Sequence, residues 1–192
     1  MARPKSEDKR NAILSAAIHV FAERGLAAAP TSEISKQAGV AEGTLFTYFK
    51  TKDDLINSLY REMKLELADA MMSGFPRKKG IRAKLEHIWN GYINWGVANS
   101  EPRKVMSQLH YSDSLTQESR DAGAAPFVEI KTMTREAIEQ RILRDDVPMD
   151  LISRVLGGLA EVTMDLMKAN PGTAEKYRSG GFELYWSAVT RK

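Results

Sequence analysis

The residue types that most often carry catalysis are few and widely separated in this sequence. Among its 192 residues are three histidines, His19, His87 and His110, and no cysteine. None of the histidines has the spacing of a metal-binding motif, and the acidic pairs Asp53-Asp54 and Asp145-Asp146 fall at a predicted helix start and in a predicted loop. The lack of cysteine excludes disulfide bonds, thiol catalysis and cysteine-ligated zinc. We therefore expect a protein that binds and does not catalyse, with no catalytic residue, no metal and no cofactor.

A different chemistry is indicated by the segment from Thr31 to Lys52. Two stretches of about seven residues are joined by Gly39-Val40-Ala41, and a turn this short makes two helices cross steeply. In the second stretch, spacings of three and four put the hydroxyl groups of Thr44, Thr47 and Tyr48 on one exposed stripe. Gly43 lies beside this stripe, and Lys50 and Lys52 follow it. Such a helix can enter the major groove of DNA and offer hydroxyls to base edges and phosphates.

Each of these side chains also has an ordinary structural explanation. Surface lysines are usually solvated, Tyr48 can cover a small core, and Thr31 is expected to be the N-cap of the first helix of the pair. The turn length, the order of the elements and the shared stripe together favour DNA binding. Two alternatives stay open: a helical carrier that sequesters an apolar metabolite without binding DNA, and a helical enzyme, which turnover of a bound ligand would reveal. A carrier has no need of an exposed stripe of Thr44, Thr47 and Tyr48.

The elements that position the stripe are predicted to be helical throughout. Apolar residues recur at intervals of three and four, and no segment alternates as a strand does. Thr51 and Asp54 have the capping-box pattern at one helix start, and residues 112–126 are the least regular. We predict an all-α fold of about nine helices, near residues 6–24, 31–38, 42–49, 52–74, 81–98, 103–111, 126–144, 149–169 and 172–190.

Composition and one short segment set the domain organisation. Apolar residues make up 43% of the chain, enough for a core, and the net charge of +3 is too small to indicate nucleic-acid binding by itself. No apolar run has the length of a membrane span or a signal peptide, so we expect a cytoplasmic protein. The polar sequence Pro-Arg-Lys-Lys-Gly at 76–80 predicts a boundary. We predict a helix-turn-helix DNA-binding domain over residues 1–51, a connecting helix over 52–74, and a ligand-binding and dimerisation domain over 75–192.

The C-terminal part has bulky side chains that suit either a core or a ligand cavity. Over residues 81–98 these side chains fall on closely related helix faces: Leu85, Ile88, Trp89, Tyr92 and Trp95. Phe127 adds a later aromatic ring. A stripe of this kind is usually core, and the alternative is a cavity lined by aromatic rings. Glu161 and Asp165 lie one helical turn apart, where they are either solvated or able to meet a cationic ligand.

The last two predicted helices carry more apolar surface than one core-facing stripe requires. One stripe consists of Leu151, Val155, Val162 and Leu166, and the stripe beside it of Ile152, Leu156, Leu159 and Thr163. Glycine pairs permit close backbone approach, and aromatics are candidates to fill an interface: Gly157-Gly158, Gly180-Gly181, Phe182, Tyr185 and Trp186. We expect a homodimer joined by a four-helix bundle, because two recognition helices must reach major grooves about 34–36 Å apart. An internal core without a partner is the alternative.

The stretch from Lys9 to Leu59 resembles the N-terminal domain of the TetR family of repressors. The matching residues are Ala16-Ala17, Phe21, Gly25, Thr31, Ile34, Ala38-Gly39-Val40, Gly43-Thr44-Leu45-Phe46, Tyr48-Phe49, Lys52 and Leu55. The resemblance implies a dimer, an all-helical ligand domain and repression relieved by a small molecule. It also implies phosphate contacts by Thr31, Tyr48 and Lys52, and groove-facing positions at Gly43, Thr44 and Thr47. Ala41 and Phe46 depart from the serine and tyrosine common in the family, so two hydroxyls are missing.

A wider set of residues resembles RamR-type repressors, which control multidrug-efflux activators. The matching segments are 2–9, 41–46, 88–90, 92–93, 95–96 and 163–165, whereas residues 112–148 match poorly. The resemblance implies that Tyr60 and Trp89 line the ligand pocket, and that Leu85, Ser153 and Leu156 occupy pocket positions with different side-chain types. With Tyr92 and Phe127 they form the expected ligand site. The implied effector is a small apolar, aromatic or cationic molecule, and the implied target is an efflux or detoxification gene.

Overall fold

The computed structural model describes residues 5–110 and 112–191. Over these residues the chain folds into ten α-helices and two 3-10 turns, without a β-strand, which confirms the predicted all-α fold. No helix of the described part is apolar over a length sufficient to cross a membrane. The α-helices are α1 (Lys5–Arg24), α2 (Thr31–Gln37), α3 (Glu42–Tyr48), α4 (Lys52–Met72), α5 (Ile81–Ala98), α6 (Ser100–His110), α7 (Gln117–Ala124), α8 (Val128–Glu139), α9 (Met149–Ala169) and α10 (Ala174–Val189). The 3-10 turns are Ala125–Phe127 and Pro171–Thr173.

The described chain divides into two compact units, each assembled from two separate segments. Residues 5–65 and 99–125 form the first unit, and residues 66–98 and 126–191 form the second. This division differs from the two consecutive domains expected from the sequence. The reason is that α6 packs on α1, so a segment from the middle of the chain joins the N-terminal helices. Gln108 of α6 accepts a hydrogen bond from the backbone N–H of Leu26 at 3.1 Å and donates one to the carbonyl of Phe21 at 3.3 Å.

The first unit is built around one apolar face of α1. Ile13, Leu14, Ala17 and Phe21, spaced as one helical face, are all buried. Side chains of the following three helices complete this core: Ile34, Leu45, Leu55, Ile56 and Leu59. Gly25 ends α1 with φ of +82°, a left-handed conformation that glycine adopts without the Cβ clash of other residues. The helix-turn-helix segment therefore rests on a hydrophobic core of its own.

One of the two predicted helix caps is confirmed and the other is wrong. At the start of α4, the backbone N–H of Asp54 donates to the Thr51 hydroxyl at 3.0 Å, and the Asp54 carboxylate accepts from the N–H of Thr51 at 3.1 Å. This is the predicted capping box. Thr31, by contrast, is the first residue of α2 and not its N-cap, which is Pro30. Pro30 directly precedes Thr31, and its backbone has the extended conformation that the N-cap position requires.

The segment predicted to be the least regular contains α7. Thr116 is the N-cap of α7, and its hydroxyl accepts from the N–H of Ser119 at 3.2 Å. The buried amide of Asn57 on α4 holds the same segment, because it donates to the carbonyl of Ser114 at 2.7 Å and accepts from the N–H of Thr116 at 2.9 Å. The expectation of a loop over 112–126 was therefore wrong for its second half, where a polar cap begins a short helix with little apolar periodicity.

In the second unit, α5, α9 and α10 pack together around a buried indole. Trp89 is fully buried, its Nε1–H donates to the carbonyl of Arg178 at 3.0 Å, and its ring stacks on Tyr185 with centroids 6.4 Å apart. The two apolar stripes of α9 differ in exposure, as expected. Ile152 and Thr163 of one stripe are buried, whereas all four residues of the other stripe, Val162 among them, are exposed. Phe182 and Tyr185, predicted to fill an interface, are buried inside this unit instead, because α10 turns them towards α5 and α9.

Candidate functional site

The helix-turn-helix is held in shape by its turn and by two buried side chains, one within α3 and one at its C-cap. Gly39 has φ of +67°, and the N–H of Val40 donates to the carbonyl of Ser35 at 3.0 Å, which closes the turn after α2. Leu45 is fully buried and Phe49 nearly so. Arg24 at the end of α1 also forms an ion pair with Glu33 of α2 at 2.7 Å. These contacts fix α3 against the core and leave its opposite face in solvent.

The exposed face of α3 is rotated from the predicted stripe. Gly43 and Thr47 are exposed, whereas Thr44 and Tyr48 are half-buried at its edge. The Thr47 hydroxyl donates to the carbonyl of Gly43 at 2.9 Å, and a Cβ added at Gly43 would have no atom within 4 Å. The exposed face of α3 therefore has bare backbone at Gly43 and, one turn later, Thr47, whose hydroxyl proton is bonded within the helix.

An open groove of about 640 Å³ brings three of the predicted DNA-binding side chains together. Thr31, Lys50 and Lys52 line it, with the alanines of residues 27–29 and the ring of Phe46. The Thr31 hydroxyl donates to the carboxylate of Glu42 at 2.8 Å. The groove thus combines two cations with a small apolar floor next to the recognition helix.

Lys52 makes contacts that the sequence did not predict. Its ammonium donates to the carbonyl of Ala27 at 3.1 Å and lies 5.9 Å from the centroid of the Phe21 ring. Burial lowers the pKa of Lys52, and the neighbouring carboxylate of Asp53 opposes this effect. Lys52 therefore connects the start of α4 to the loop that precedes α2. Lys50, two residues earlier, is fully at the surface.

Tyr48 and Lys50 also line a second groove, of about 440 Å³, on the other side of the turn between α3 and α4. Apart from Phe49, its remaining walls are polar and come from α4 and from the start of α7 with its N-cap. Arg61 donates to the Ser119 hydroxyl at 2.6 Å and to that of Ser58 at 3.1 Å. The side-chain amide of Asn57, which also lines this groove, makes four hydrogen bonds. The sequence reasoning missed this polar network, and the adjacent Asn57 and Ser58 on a predicted helix were its available signal.

The expected ligand-site residues on α5 belong to the packed interior of the second unit. Leu85 and Trp89 are buried, and Tyr92 is half-buried with its hydroxyl 3.5 Å from a carboxylate oxygen of Glu161. The closest packing is at Gly181 of α10, because a Cβ there would lie 2.6 Å from the Thr163 hydroxyl and 2.7 Å from the Trp89 ring. The Tyr92 hydroxyl, about one helical turn after Trp89 on α5, thus lies beside the Glu161 carboxylate of α9.

The other expected ligand-site residues are distributed more widely. Phe127, in a 3-10 turn, and Leu156, on α9, are half-buried, and Ser153 is exposed with its hydroxyl bonded to the carbonyl of Met149 at 3.0 Å. Tyr60 belongs to the first unit, where its ring covers Gly123 so closely that a Cβ there would lie 2.5 Å from a ring carbon. Burial raises the pKa of Tyr60.

Comparison with known proteins agrees with this geometry. Residues 13–59 match the family model described as bacterial regulatory proteins, tetR family. The matched residues run from the first buried residue of α1 into the start of α4 and include the whole helix-turn-helix. The segment identified from its turn and its spacing as a helix-turn-helix therefore lies wholly within the residues that the family model matches.

The similarity to solved and curated regulators extends over most of the chain. A putative tetR family transcription regulator from Shewanella sp. PV-4 is 26% identical, with a TM-score of 0.86 over 96% of this chain and 99% of that one. A fatty acid metabolism regulator protein of Bacillus subtilis is 26% identical over 155 residues, 79% of either chain. The transcriptional regulator FadR from Bacillus subtilis in complex with stearoyl-CoA superposes with a TM-score of 0.71 at 23% identity, over 92% of this chain and 97% of that one. The chain is thus similar to tetR-family regulators over residues 13–59, and it shares its all-helical fold with a putative tetR family transcription regulator over nearly its whole length.

Proposed function

We propose that the chain is a repressor that binds a specific operator as a homodimer and is released from it by a small molecule. The observation that carries the proposal is the solvent face of α3. It joins bare backbone at Gly43 to Thr47, and Lys50 and the groove at Thr31 lie beside it. We assign DNA binding to residues 1–51, and effector binding and dimerisation to residues 75–192.

The DNA contacts divide by chemistry. Thr31, Tyr48, Lys50 and Lys52 are assigned to phosphates, since hydroxyl and ammonium groups at the rim of a groove-entering helix meet the backbone first. Gly43, Thr44 and Thr47 are assigned to base edges. For Lys52 this contact requires the ammonium to turn away from the Ala27 carbonyl, so Lys50 is expected to contribute more to the affinity.

The exposed apolar stripe of α9 supports the homodimer. Leu151, Val155, Val162 and Leu166 are between 40% and 56% exposed, and Leu184 of α10 is 65% exposed. Gly158 and Gly180 are exposed on the same two helices, with open space where a Cβ would stand. A second copy of α9 and α10 would cover these side chains in a four-helix bundle.

We place the effector site in the second unit, among Leu85, Trp89, Tyr92, Phe127, Ser153 and Leu156. Binding there requires the stacked Trp89 to move, so the effector stabilises a conformer different from the close-packed one. The stearoyl-CoA bound by FadR supports a long apolar acyl effector. Glu161 beside Tyr92 favours a second candidate, a lipophilic cation, and with it control of an efflux gene.

DNA binding is tested by fluorescence anisotropy with the intergenic duplex beside the chain's own gene, at two salt concentrations and with scrambled duplex as competitor. We expect a dissociation constant of about 10⁻⁸ M or tighter that resists the competitor. Lys50→Ala should weaken binding to all duplexes alike and reduce the salt slope by about one. Weak binding that is erased by salt and indifferent to sequence contradicts the proposal and favours a carrier without specific DNA binding.

The effector classes are separated in the same assay. Stearoyl-CoA and tetraphenylphosphonium are titrated into the protein–DNA complex, with wild type and Glu161→Gln compared. An acyl effector is expected to release DNA equally from both proteins, whereas a cationic effector should lose potency in Glu161→Gln because the carboxylate charge is gone. Release by neither compound, in a protein that binds DNA specifically, contradicts both effector classes.

A further inference from the structure

The recognition helix has a large apolar side chain on its solvent face. Phe46 is 41% exposed, whereas its neighbours Leu45 and Phe49 are 0% and 3% exposed. The ring is therefore not part of the core that holds α3. One exposed hydrophobic residue is ordinary on a protein surface. This one, however, lies within the helix-turn-helix that the family model matches, and it forms one wall of the groove with the alanines of residues 27–29.

The neighbours of Phe46 leave the centre of this face poor in hydrogen-bond donors. Positions 46 and 47 lie three and four residues after Gly43, so these three positions share one helical face, and Lys50 follows just beyond the end of α3. Gly43 has no side chain, and the hydroxyl proton of Thr47 is used on the Gly43 carbonyl. Only Lys50, at one end, carries a free-standing cation. Between them the face offers a phenyl ring and the methyl group of Thr47.

A face of this chemistry suits one feature of the major groove. Guanine is best recognised by paired donors from arginine or lysine, and adenine by an amide, whereas the apolar feature of the groove is the C5-methyl group of thymine, which phenylalanine can contact. We infer that Phe46 recognises thymine methyl groups in the operator and is a specificity-determining residue. The inference rests on the proposed DNA-binding function and adds to it the base that this face selects.

The contact also has a defined energetic signature. Phenylalanine has no donor for a phosphate, so its contribution depends on the methyl group and not on the DNA backbone. Burial of one methyl group corresponds to about a fourfold change in affinity. In a twofold-symmetric complex the same thymine should matter in both half-sites. A ring that only fills the groove beside residues 27–29 would instead affect all duplexes equally.

The test uses the full-length protein and a duplex that it selects from a random-sequence library. Each thymine of the selected duplex is replaced in turn by deoxyuridine, which removes the C5-methyl group alone, and affinities are measured by fluorescence anisotropy. We expect wild type to lose about fourfold per half-site at one or two symmetry-related thymines. Phe46→Ala should bind the thymine and uracil duplexes equally, and Phe46→Leu, which keeps an apolar side chain, should retain part of the preference.

Two controls separate the possible outcomes. Circular dichroism establishes that the variants are folded, and Lys50→Ala should weaken both duplexes by the same factor and keep the preference for thymine. If wild type binds every uracil duplex as tightly as the thymine duplex, the inference is overturned and the repressor function still stands. The same holds if Phe46→Ala still distinguishes thymine from uracil, because the methyl group is then recognised by another residue such as Thr47. A protein that selects no sequence contradicts the proposed function itself.

Discussion

Gly181 approaches Trp89 so closely that a Cβ at position 181 would stand 2.7 Å from the Cζ2 atom of the indole ring. The same atom would lie 2.6 Å from the Thr163 hydroxyl, so α10 meets both α5 and α9 at this glycine. Trp89 is fixed in turn by its hydrogen bond to the Arg178 carbonyl. The Trp89 ring, which is proposed to contact the effector, is thus held both by close packing and by a hydrogen bond.

Gly181→Ala should destabilise the chain by about 1–3 kcal/mol, because the added methyl group overpacks a close contact. The tryptophan emission should shift to longer wavelength as the indole gains access to water. Gly172→Ala is the control, since a Cβ there meets open space, and it should leave the emission unchanged. Urea unfolding followed by fluorescence measures both effects. Equal unfolding midpoints and emission for the two variants would show that α10 can move away from Trp89 without cost.

Val162→Glu should convert the dimer into monomers and abolish tight operator binding. Val162 is 56% exposed on the apolar stripe of α9, and a glutamate there would be buried without a partner on dimerisation. Val97→Glu is the control, because Val97 is 52% exposed but lies on α5, away from the stripe. Sedimentation velocity at several protein concentrations gives the oligomeric state. A dimer that survives Val162→Glu and dissociates in Val97→Glu would place the interface elsewhere.

The fold could be predicted from the sequence where apolar periodicity or a cap determines it. The buried face of α1 and the capping box at Thr51 followed from spacing alone, and the bounds of α9 were predicted to the residue. By contrast, α7 was missed, because its cap is reinforced by Asn57, which is distant in sequence. The placement of α6 beside α1 depends on a contact between residues 82 apart, Leu26 and Gln108, which no local pattern contains.

The candidate site was predictable in its location and less so in its orientation. The turn at Gly39 and the spacing of α3 identified the helix, but a rotation of about one position separates the predicted stripe from the exposed face. Phe46 was noted as a departure from the family and not as an exposed contact, although Leu45 and Phe49 are apolar residues four apart, as on one inward face. Placing these two on a helical wheel would have put Phe46 in solvent.

The hydroxyl of Thr51 should contribute about 1 kcal/mol to stability through the capping box at α4. Thr51→Ala removes the acceptor for the Asp54 N–H, and Thr51→Ser, which keeps a hydroxyl, is the matched control. Because α4 begins directly after the recognition helix, the loss should also weaken operator affinity. Urea unfolding measures the stability. An alanine variant as stable as the serine variant would mean that water satisfies the N–H groups equally well.

His19 should make the stability of the first unit depend on pH. Its Nδ1 lies 3.0 Å from a carboxylate oxygen of Glu101 on α6, and its Nε2 lies 3.6 Å from Glu23. The hydrogen bond to Glu101, with the charges of both glutamates, raises the pKa of His19 above its ordinary value of 6.5. The contribution is therefore fully present below pH 6.5 and is lost as the pH rises through the raised pKa.

The check on His19 is a difference between two proteins at two pH values. The unfolding midpoint of wild type should exceed that of His19→Gln more near pH 6 than near pH 8.5. Added salt should reduce the difference, because the groups are at the surface. Glu101→Gln should reduce it as well. A difference that grows with pH would have the wrong sign for a histidine stabilised by carboxylates.

Hydroxyl-radical footprinting of the selected duplex tests most directly that the chain is a dimeric helix-turn-helix regulator. Two recognition helices related by a twofold axis must occupy major grooves on one side of the duplex. We predict two protected regions of equal strength, with centres one helical turn of about 10–10.5 base pairs apart or a multiple of it. Lys50→Ala should weaken both regions together. A single protected region, or protection without a fixed position, would contradict the account.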